Sequence, residues 1–222
     1  MQCFAIYDMD KTITRAPTWT GFLIATARHV APWRLALLPL AGLATCVYAA
    51  RLINRAQLKQ VTQLLMLGDR MDPVTADGAA ARFADHIIAS GVFGAARAQI
   101  ASDKAAGSRL VMATASYGFY AAAIATRLGF DDVVATRVQH DAQGRLRARI
   151  AGENCYGPAK LRMIEAWMAA EGIARSAVHV RFYSDHVSDA PTFAWADEAV
   201  AVNAHGPLQR LARERGWRVG GW

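Results

Sequence analysis

The chain has 222 residues, of which 54% are hydrophobic and 19% are charged, and its formal net charge is +7. This composition excludes a disordered chain, and the length is enough for one large core with a smaller accessory domain. The positive balance favours an anionic partner such as a phosphorylated small molecule, a membrane surface or nucleic acid, although solubility alone would also explain it.

The cysteines and the first residues indicate the cellular compartment. Cys3, Cys46 and Cys155 are odd in number and far apart, which argues against a disulfide framework or a zinc site. The start of the chain lacks the basic residues of a signal peptide, and acids follow soon after it. We therefore expect a cytoplasmic protein that could also lie at the inner face of the membrane.

Strand and helix patterns alternate along the chain after one long helical interruption. In chain order the pattern predicts a strand at 3–7, a helical stretch at 18–90, a strand at 109–113 and a helix at 117–128. A hairpin follows, with strands at 133–138 and 146–150 around a turn at 141–144. The last predicted elements are a helix at 159–171, a strand at 178–183, a short last strand at 199–202 and a final helix from Pro207. This alternation predicts an α/β fold with a doubly wound parallel sheet.

The helical stretch falls between the first strand and the others, so it predicts a helical cap inserted after that strand. The expected domains are a catalytic core, residues 1–16 and 91–222, and a cap, residues 17–90. Ligands of such sheets bind at the carboxyl ends of the strands, which directs attention to the residues found there.

The first two predicted strands end in groups suited to phosphate chemistry. Asp8 and Asp10 follow the first strand, and of two such carboxylates one can be a nucleophile and the other a general acid/base. Thr114 ends the second strand and is followed by Ala115 at a predicted helix start, where a hydroxyl and free N–H groups can hold a phosphate.

Two later segments add a cation and hard oxygen ligands. Lys160 lies at a loop–helix junction and can neutralise phosphate charge. Asp185 follows a later strand, with Asp189 one turn further, and carboxylates of this kind suit Mg²⁺. Each residue alone is also explained as a cap, a turn or a solvated side chain, so the functional prediction depends on the whole set.

These segments match the motifs of one family. Residues 8–12 fit D-x-D-x-T, residues 110–114 fit a hydrophobic strand ending in Ser or Thr, Lys160 fits the lysine segment, and residues 185–189 fit D-x-x-x-D. The chain thus resembles the haloacid dehalogenase superfamily of phosphatases, in its phosphoserine-phosphatase-like branch (subfamily IB). That resemblance implies a Rossmann-like core, a helical cap and a phosphomonoester hydrolase.

The resemblance also implies roles for the site residues. Asp8 would form an aspartyl-phosphate, and Asp10 would protonate the leaving alkoxide and then activate water. Thr114, Ala115 and Lys160 would bind the phosphoryl group.

The implied metal is Mg²⁺. It would be bound by the side chains of Asp8 and Asp185 and by the backbone carbonyl of Asp10, while Asp189 would support the metal through water or orient Lys160. His186 departs from the small residue common after the metal-binding aspartate, and its role is left open.

The predicted cap is basic and apolar. No acid lies between Asp10 and Asp69, and residues 35–50 carry no charge at all. The acid-free stretch carries basic residues instead, namely Lys11, Arg15, Arg28, Arg34, Arg51, Arg55 and Lys59.

The uncharged run cannot cross a membrane once. As a helix it would extend about 24 Å, short of a hydrocarbon core of about 30 Å. A single crossing would also separate Asp8 from Lys160 and Asp185. We therefore expect the run to form the cap's own core, to meet a partner subunit, or to contact an anionic membrane peripherally.

These features favour a substrate with extra negative charge and a lipid tail, and the cap is similar to that of the phosphatidylglycerophosphate phosphatases of this branch. Phosphoserine is less expected, because no carboxylate is available for its ammonium group unless Asp69, Asp72 or Asp85 folds back. Two alternatives stay open: a phosphatase for a soluble metabolite such as phosphoserine or histidinol phosphate, and a non-catalytic regulator that binds anions. No nucleic-acid partner is expected, because the basic residues are scattered.

Overall fold

A central sheet of eight strands organises the protein, whose computed structural model describes residues 2–222. Met1 belongs to the predicted catalytic core but lies outside the described residues. The strands are β1 (Gln2–Tyr7), β2 (Arg70–Met71), β3 (Arg109–Tyr117), β4 (Asp132–His140), β5 (Leu146–Ala151), β6 (Val178–Ser184), β7 (Glu198–Val202) and β8 (Arg218–Gly220). Their order across the sheet is β2-β5-β4-β3-β1-β6-β7-β8.

The sheet is parallel from β4 to β8 and antiparallel at its other edge, where β5 pairs with β4 and β2. Its central strand, β1, is buried on both faces. Phe4 and Ile6 pack into one apolar cluster, and Ala5 and Tyr7 pack into the other, as alternating side chains of a strand do. The predicted doubly wound α/β fold is therefore confirmed.

The described residues form nine α-helices around the sheet. They are α1 (Thr18–Val30), α2 (Leu38–Ala49), α3 (Arg55–Leu67), α4 (Pro73–His86), α5 (Gly94–Ala105), α6 (Gly118–Leu128), α7 (Pro158–Ala170), α8 (Ala190–Trp195) and α9 (Gly206–Arg215). The first five lie between β1 and β3, and we refer to residues 18–86, which carry α1 to α4, as the inserted segment.

The prediction of one continuous helical stretch at 18–90 is wrong in detail. The inserted segment is interrupted by a 3-10 turn at Pro32–Leu37 and by the two-residue strand β2. Pro32 lacks a backbone N–H and so starts a new turn. Strand β2 is held in place from a distance, because the adjacent Asp69 forms an ion pair with Arg147 of β5.

Two further boundaries differ from the prediction. Residues 199–202 do not form the last strand, because β8 follows and pairs in parallel with β7. Strand β3 does not end at residue 113 but continues irregularly to Tyr117, so α6 begins only at Gly118. The Thr114 hydroxyl accepts a hydrogen bond from the Ser116 N–H, which keeps this segment in a local turn rather than a helix start.

Candidate active site

A tight turn after β1 carries the first two acidic residues of the site. The Asp8 N–H donates to the Tyr183 carbonyl at 2.9 Å, which extends the pairing of β1 with β6 by one residue. Lys11 then adopts a φ of +62°, in the left-handed region that side chains rarely occupy. The chain doubles back here, and Asp8 and Asp10 line the same cavity.

A buried ammonium group lies between two carboxylates at the centre of the site. Lys160, in the first turn of α7, is 2.7 Å from Asp8 Oδ1 and 2.5 Å from Asp189 Oδ2. Ser184 also donates to Asp189 Oδ2, at 2.7 Å. Burial alone would lower the pKa of Lys160, but the charges of Asp189 and Asp8 outweigh it and raise the pKa. The lysine therefore carries its charge inside the protein.

Thr12 connects the first and last acidic segments of the site. Its hydroxyl is 3.3 Å from Asp8 Oδ2 and 3.3 Å from Asp185 Oδ1, and it accepts a hydrogen bond from the Asp185 N–H. Since a hydroxyl has one proton, it can satisfy only one of these carboxylates at a time. Burial raises the pKa of both Asp8 and Asp185, because their charges are removed from water.

The charge of this site suits a divalent cation. Three buried carboxylates, Asp8, Asp185 and Asp189, face one lysine, and Asp189 Oδ1 has no hydrogen-bond partner within residues 2–222. The same residues contain no cluster of three or more His, Cys, Asp or Glu side chains at metal-ligand spacing. A metal here would thus rely on two carboxylates, a backbone carbonyl and water, the pattern that Mg²⁺ tolerates.

The irregular end of β3 forms the opposite wall of the site. Thr114 is buried and lines the cavity. Its hydroxyl oxygen accepts a hydrogen bond from the Ser116 N–H, which leaves the hydroxyl proton available for donation to a bound group. The next carbonyl, that of Ala115, accepts from Thr136 Oγ1 at 2.8 Å and also from the Lys59 ammonium. These contacts hold the backbone of the loop in place.

The structure brings all the predicted site residues together. Asp8, Asp10, Thr114, Ala115, Lys160, Asp185 and Asp189 all line one cavity of about 160 Å³. His186 lies at its edge, where its Nδ1 accepts a hydrogen bond from the Ser188 N–H and so caps the turn that carries Asp189. Burial lowers the pKa of the His186 imidazole.

A larger cavity of about 470 Å³ adjoins the first and shares Asp10, Arg55 and Ala115 with it. Its walls come from α1, α2 and α3 of the inserted segment, and they are mostly apolar. The apolar lining residues are Trp19, Leu23, Ile24, Leu38, Ala41, Gly42, Leu58 and Met66. A molecule bound across both cavities would place a polar end on the acidic site and an apolar part among these helices.

Lys59 of α3 is a site residue whose position sequence reasoning did not find. It is buried, and its ammonium donates to the Ala115 carbonyl and, at 2.8 Å, to Asn154 Oδ1. Burial, followed by repulsion from Arg55, lowers its pKa to about 7. The only signal in the sequence was its place among the basic residues of the predicted cap, which did not show that it points inward.

Three hydroxyl-bearing residues around Asp10 were also missed as site residues. Thr18 donates to Asp10 Oδ1 from its backbone N–H and its hydroxyl, and Ser116 donates to Asp10 Oδ2. Tyr120 contacts both hydroxyls. Sequence alone could not find this set, because its members come from α1, β3 and α6.

Comparison with known proteins places these observations in a family. The sequence profile of the haloacid dehalogenase-like hydrolases matches residues 5–194. The solved structure of a protein of unknown function from Bordetella pertussis Tohama I superimposes with a TM-score of 0.87 at 25% identity, covering 99% of this chain and 98% of that one.

Curated relatives of the chain include proteins that are named as phosphatases. The chain is 32% identical to phosphoserine phosphatase SerB1 of Mycobacterium tuberculosis (strain H37Rv) over 61% of its own length and 43% of the relative's. It is 26% identical to histidinol-phosphatase of Neisseria meningitidis serogroup C over 55% of its own length and 56% of the relative's. The chain thus spans about half the length of these relatives.

The central ion pair leads to a prediction about anion binding. We expect Lys160→Met to weaken the binding of inorganic phosphate by about tenfold or more, because a hydrogen bond to a charged group contributes about 1.5–3 kcal/mol. Isothermal titration calorimetry in magnesium-containing buffer would measure this affinity.

Lys104→Met is the matched control, because Lys104 is an exposed lysine of α5 that does not line either cavity. Thermal unfolding of both variants would show whether the fold is retained. A folded Lys160→Met variant that binds phosphate as tightly as the wild type would contradict the prediction.

Proposed function

This chain belongs to the haloacid dehalogenase-like hydrolases, whose profile matches residues 5–194, and we propose that it hydrolyses phosphomonoesters through an aspartyl-phosphate on Asp8. The observation that carries this proposal is the buried Lys160 ammonium in contact with Asp8, which can hold a phosphoryl oxygen beside a carboxylate nucleophile. We further propose that residues 17–90 act as a cap on a core formed by residues 1–16 and 91–222.

In the first step of the proposed reaction, an Asp8 oxygen attacks the phosphorus while the bond from phosphorus to the ester oxygen breaks. Asp10 gives its proton to the departing alkoxide. In the second step Asp10 takes a proton from water, the water oxygen bonds to phosphorus, and the bond between phosphorus and Asp8 breaks. Thr114 and Lys160 donate to the phosphoryl oxygens in both steps.

The proposed cofactor is Mg²⁺. The donor set fits it, because Asp8 and Asp185 face the same Thr12 hydroxyl and the buried carboxylates outnumber the single lysine. The backbone carbonyl of Asp10 would be a further ligand, and Asp189 would act by holding Lys160. When bound, the ion would neutralise phosphoryl charge and so lower the repulsion between substrate and carboxylates.

For the substrate we propose a phospholipid-type phosphomonoester such as phosphatidylglycerophosphate. The cavity beside the site is mostly apolar, and its two basic lining residues are Arg55 and Lys59 of α3, of which Arg55 also lines the acidic site. This arrangement suits an ester that carries a second negative charge near its phosphate and an apolar tail beyond it.

The acids of the inserted segment support the same choice. Among the described residues that line this cavity, Asp10 is the only acid. Asp69 pairs with Arg147, Asp72 caps α4, and Asp85 pairs with Arg127, so none of the three lines the cavity. An ammonium group such as that of phosphoserine would therefore lack a dedicated partner.

A soluble metabolite is the second candidate substrate, and the names of two relatives favour it. One is called a phosphoserine phosphatase and the other a histidinol-phosphatase. A non-catalytic role in anion binding on the same fold is a third possibility, which would leave the contacts around Asp10 without a chemical use.

A substrate panel separates these candidates. We expect phosphate release from phosphatidylglycerophosphate in detergent micelles to show a kcat/KM at least about tenfold above that for phosphoserine or histidinol phosphate, because each buried methylene contributes about 0.8 kcal/mol. Preference for a soluble ester would overturn the lipid assignment. No turnover of any ester with Mg²⁺ present would favour the anion-binding role.

A glycine on the cavity wall offers a matched test within the panel. A Cβ on Gly42 of α2 would meet no atom within 4 Å, so Gly42→Leu adds bulk to the cavity wall from an unobstructed position, and it should lower the preference for the lipid ester. Gly94→Leu is the control, because Gly94 is likewise exposed and unobstructed but does not line the cavity. An unchanged preference in Gly42→Leu would show that the tail does not lie there.

We also propose that the inserted segment contacts an anionic membrane. Residues Pro32–Ala49 are long and apolar enough to span a membrane by length and composition, yet α2 itself extends only about 18 Å. Trp33 is 64% exposed, Leu43 59% and Leu52 76%. Large apolar side chains that are exposed in one segment suggest a binding face.

Charge determines the occupant that we assign to this face. Arg34 and Arg51 are the sequence neighbours of Trp33 and Leu52, and no acid occurs between Asp10 and Asp69. Basic residues beside an apolar face match anionic headgroups above a hydrocarbon layer. Helix α2 also forms one wall of the larger cavity, so a lipid could pass from the membrane to the site without crossing water.

This surface generates a binding prediction. The protein should sediment with phosphatidylglycerol-containing vesicles more than with neutral phosphatidylcholine vesicles, and Leu43→Glu should weaken that binding by about tenfold or more, since burying a leucine contributes about 1.5–3 kcal/mol. Val74→Glu is the control, because Val74 is 80% exposed on α4. Equal binding by the two variants, or dimerisation through this face in analytical ultracentrifugation without vesicle binding, would overturn the membrane assignment.

A further inference from the structure

Three buried hydroxyl groups form a cluster behind Asp10. The Tyr120 hydroxyl donates to Ser116 Oγ at 2.7 Å and lies 3.0 Å from Thr18 Oγ1. Ser116 Oγ is 3.0 Å from Asp10 Oδ2, and Thr18 Oγ1 is 2.7 Å from Asp10 Oδ1. Both carboxylate oxygens of Asp10 therefore accept from hydroxyls that also contact Tyr120.

The protons of this cluster can be assigned by counting donors. Each hydroxyl has a single proton. When Thr18 and Ser116 donate to Asp10, their oxygens remain free as acceptors, and the Tyr120 proton can go to either of them. Tyr120 thus favours the arrangement in which both hydroxyl protons point at the carboxylate. Without it, the Ser116 hydroxyl could turn away and leave Asp10 Oδ2 without a donor, whereas Oδ1 would keep its hydrogen bond from the Thr18 backbone N–H.

The ring of Tyr120 is fixed by the inserted segment. It stacks on Phe22 of α1 with ring centroids 4.5 Å apart and planes 11° apart, and it meets Phe83 of α4 edge-on at 6.0 Å. Tyr120 itself belongs to α6 and is fully buried. The position of its hydroxyl is therefore determined jointly by the core and by the inserted segment.

We infer that Tyr120 is a positioning residue for Asp10, acting through Ser116 and Thr18 to hold the carboxylate in the orientation needed for proton transfer. This inference rests on the proposed aspartyl-phosphate reaction. It assigns a role in the reaction to a residue that neither carries a family motif nor lines either of the two cavities.

The surroundings of Tyr120 keep its hydroxyl protonated, so that it can act as a hydrogen-bond donor. Burial, and then the charge of Asp10, raise the pKa of Tyr120 well above its usual range. The phenol therefore keeps its proton at neutral pH and remains a hydrogen-bond donor to the Ser116 or Thr18 hydroxyl.

The inference predicts an effect that depends on the leaving group. An alkoxide is a poor leaving group and needs the Asp10 proton, whereas p-nitrophenolate leaves readily without one. Misplacing Asp10 should therefore slow the cleavage of alkyl phosphates more than that of p-nitrophenyl phosphate. A general loss of structure would slow both equally.

Tyr120→Phe tests this, with Tyr117→Phe as its matched control. The Tyr117 hydroxyl is buried and has no hydrogen-bond partner within residues 2–222, so its removal breaks no such contact. For each variant, kcat/KM would be measured on p-nitrophenyl phosphate and on the alkyl phosphate that the wild type cleaves fastest. We expect the alkyl-to-aryl ratio to fall about tenfold in Tyr120→Phe, a part of the 10²–10⁴-fold effect of general acid catalysis, and to stay at the wild-type value in Tyr117→Phe.

The outcomes separate this inference from the proposed reaction. If Asp8→Asn abolishes turnover but Tyr120→Phe keeps the wild-type ratio, or loses both activities equally while remaining folded, Tyr120 does not position Asp10 and the reaction stands. If Asp8→Asn retains turnover, the aspartyl-phosphate reaction is wrong and the role of Tyr120 falls with it. Thermal unfolding of both tyrosine variants would verify that they are folded.

Discussion

The buried contact of Lys160 with Asp8 and Asp189 is the constraint on which the rest of the structure depends. It joins residues 152 and 29 positions apart in the sequence, and it brings the first strand, α7 and the turn after β6 to one point. A lysine removed from water requires charged partners, because an unpaired buried ion is strongly destabilising. Lys160 keeps its charge because the charges of Asp189 and Asp8 raise its pKa by more than burial lowers it.

The same contact limits what the inserted segment can do. Asp8 precedes this segment and Lys160 follows it, so the chain must return to the same side of any membrane that it meets. Helix α2 satisfies this condition, because it is short, lies at the surface and still forms a wall of the larger cavity. The apolar surface of α2 and the polar site can therefore bind two parts of the same molecule. Arg55 and Lys59 of α3 line the cavity that connects the surface with the site.

Much of the core could be predicted because its signals are local. The apolar run of β1 and the turn at residues 141–144 define their elements without reference to distant residues. Membership of the haloacid dehalogenase-like hydrolases, predicted from the motifs, is confirmed by the profile match. The seven predicted site residues meet in one cavity, because parallel strands end at the same edge of the sheet, whereas their roles stay predictions.

What the sequence could not reveal depends on contacts between distant segments. Strand β2 has two residues and exists because it pairs with β5, with Asp69 and Arg147 in contact across 78 positions. Lys59 points inward because Asn154 and a carbonyl of the β3 loop accept from it, which no periodicity indicates. The irregular end of β3 coincides with a hydrogen bond from the Ser116 N–H to the Thr114 hydroxyl, a side-chain contact of the kind that competes with helix formation.

The central claim is that the Asp8 side chain becomes phosphorylated during turnover. Rapid acid quenching during turnover with Mg²⁺, followed by peptide mapping with mass spectrometry, would locate any phosphate bound to the protein. The account predicts phosphate on the peptide that contains Asp8, and none in Asp8→Asn. Turnover at the wild-type rate in Asp8→Asn, or phosphate bound only to another residue, would contradict it.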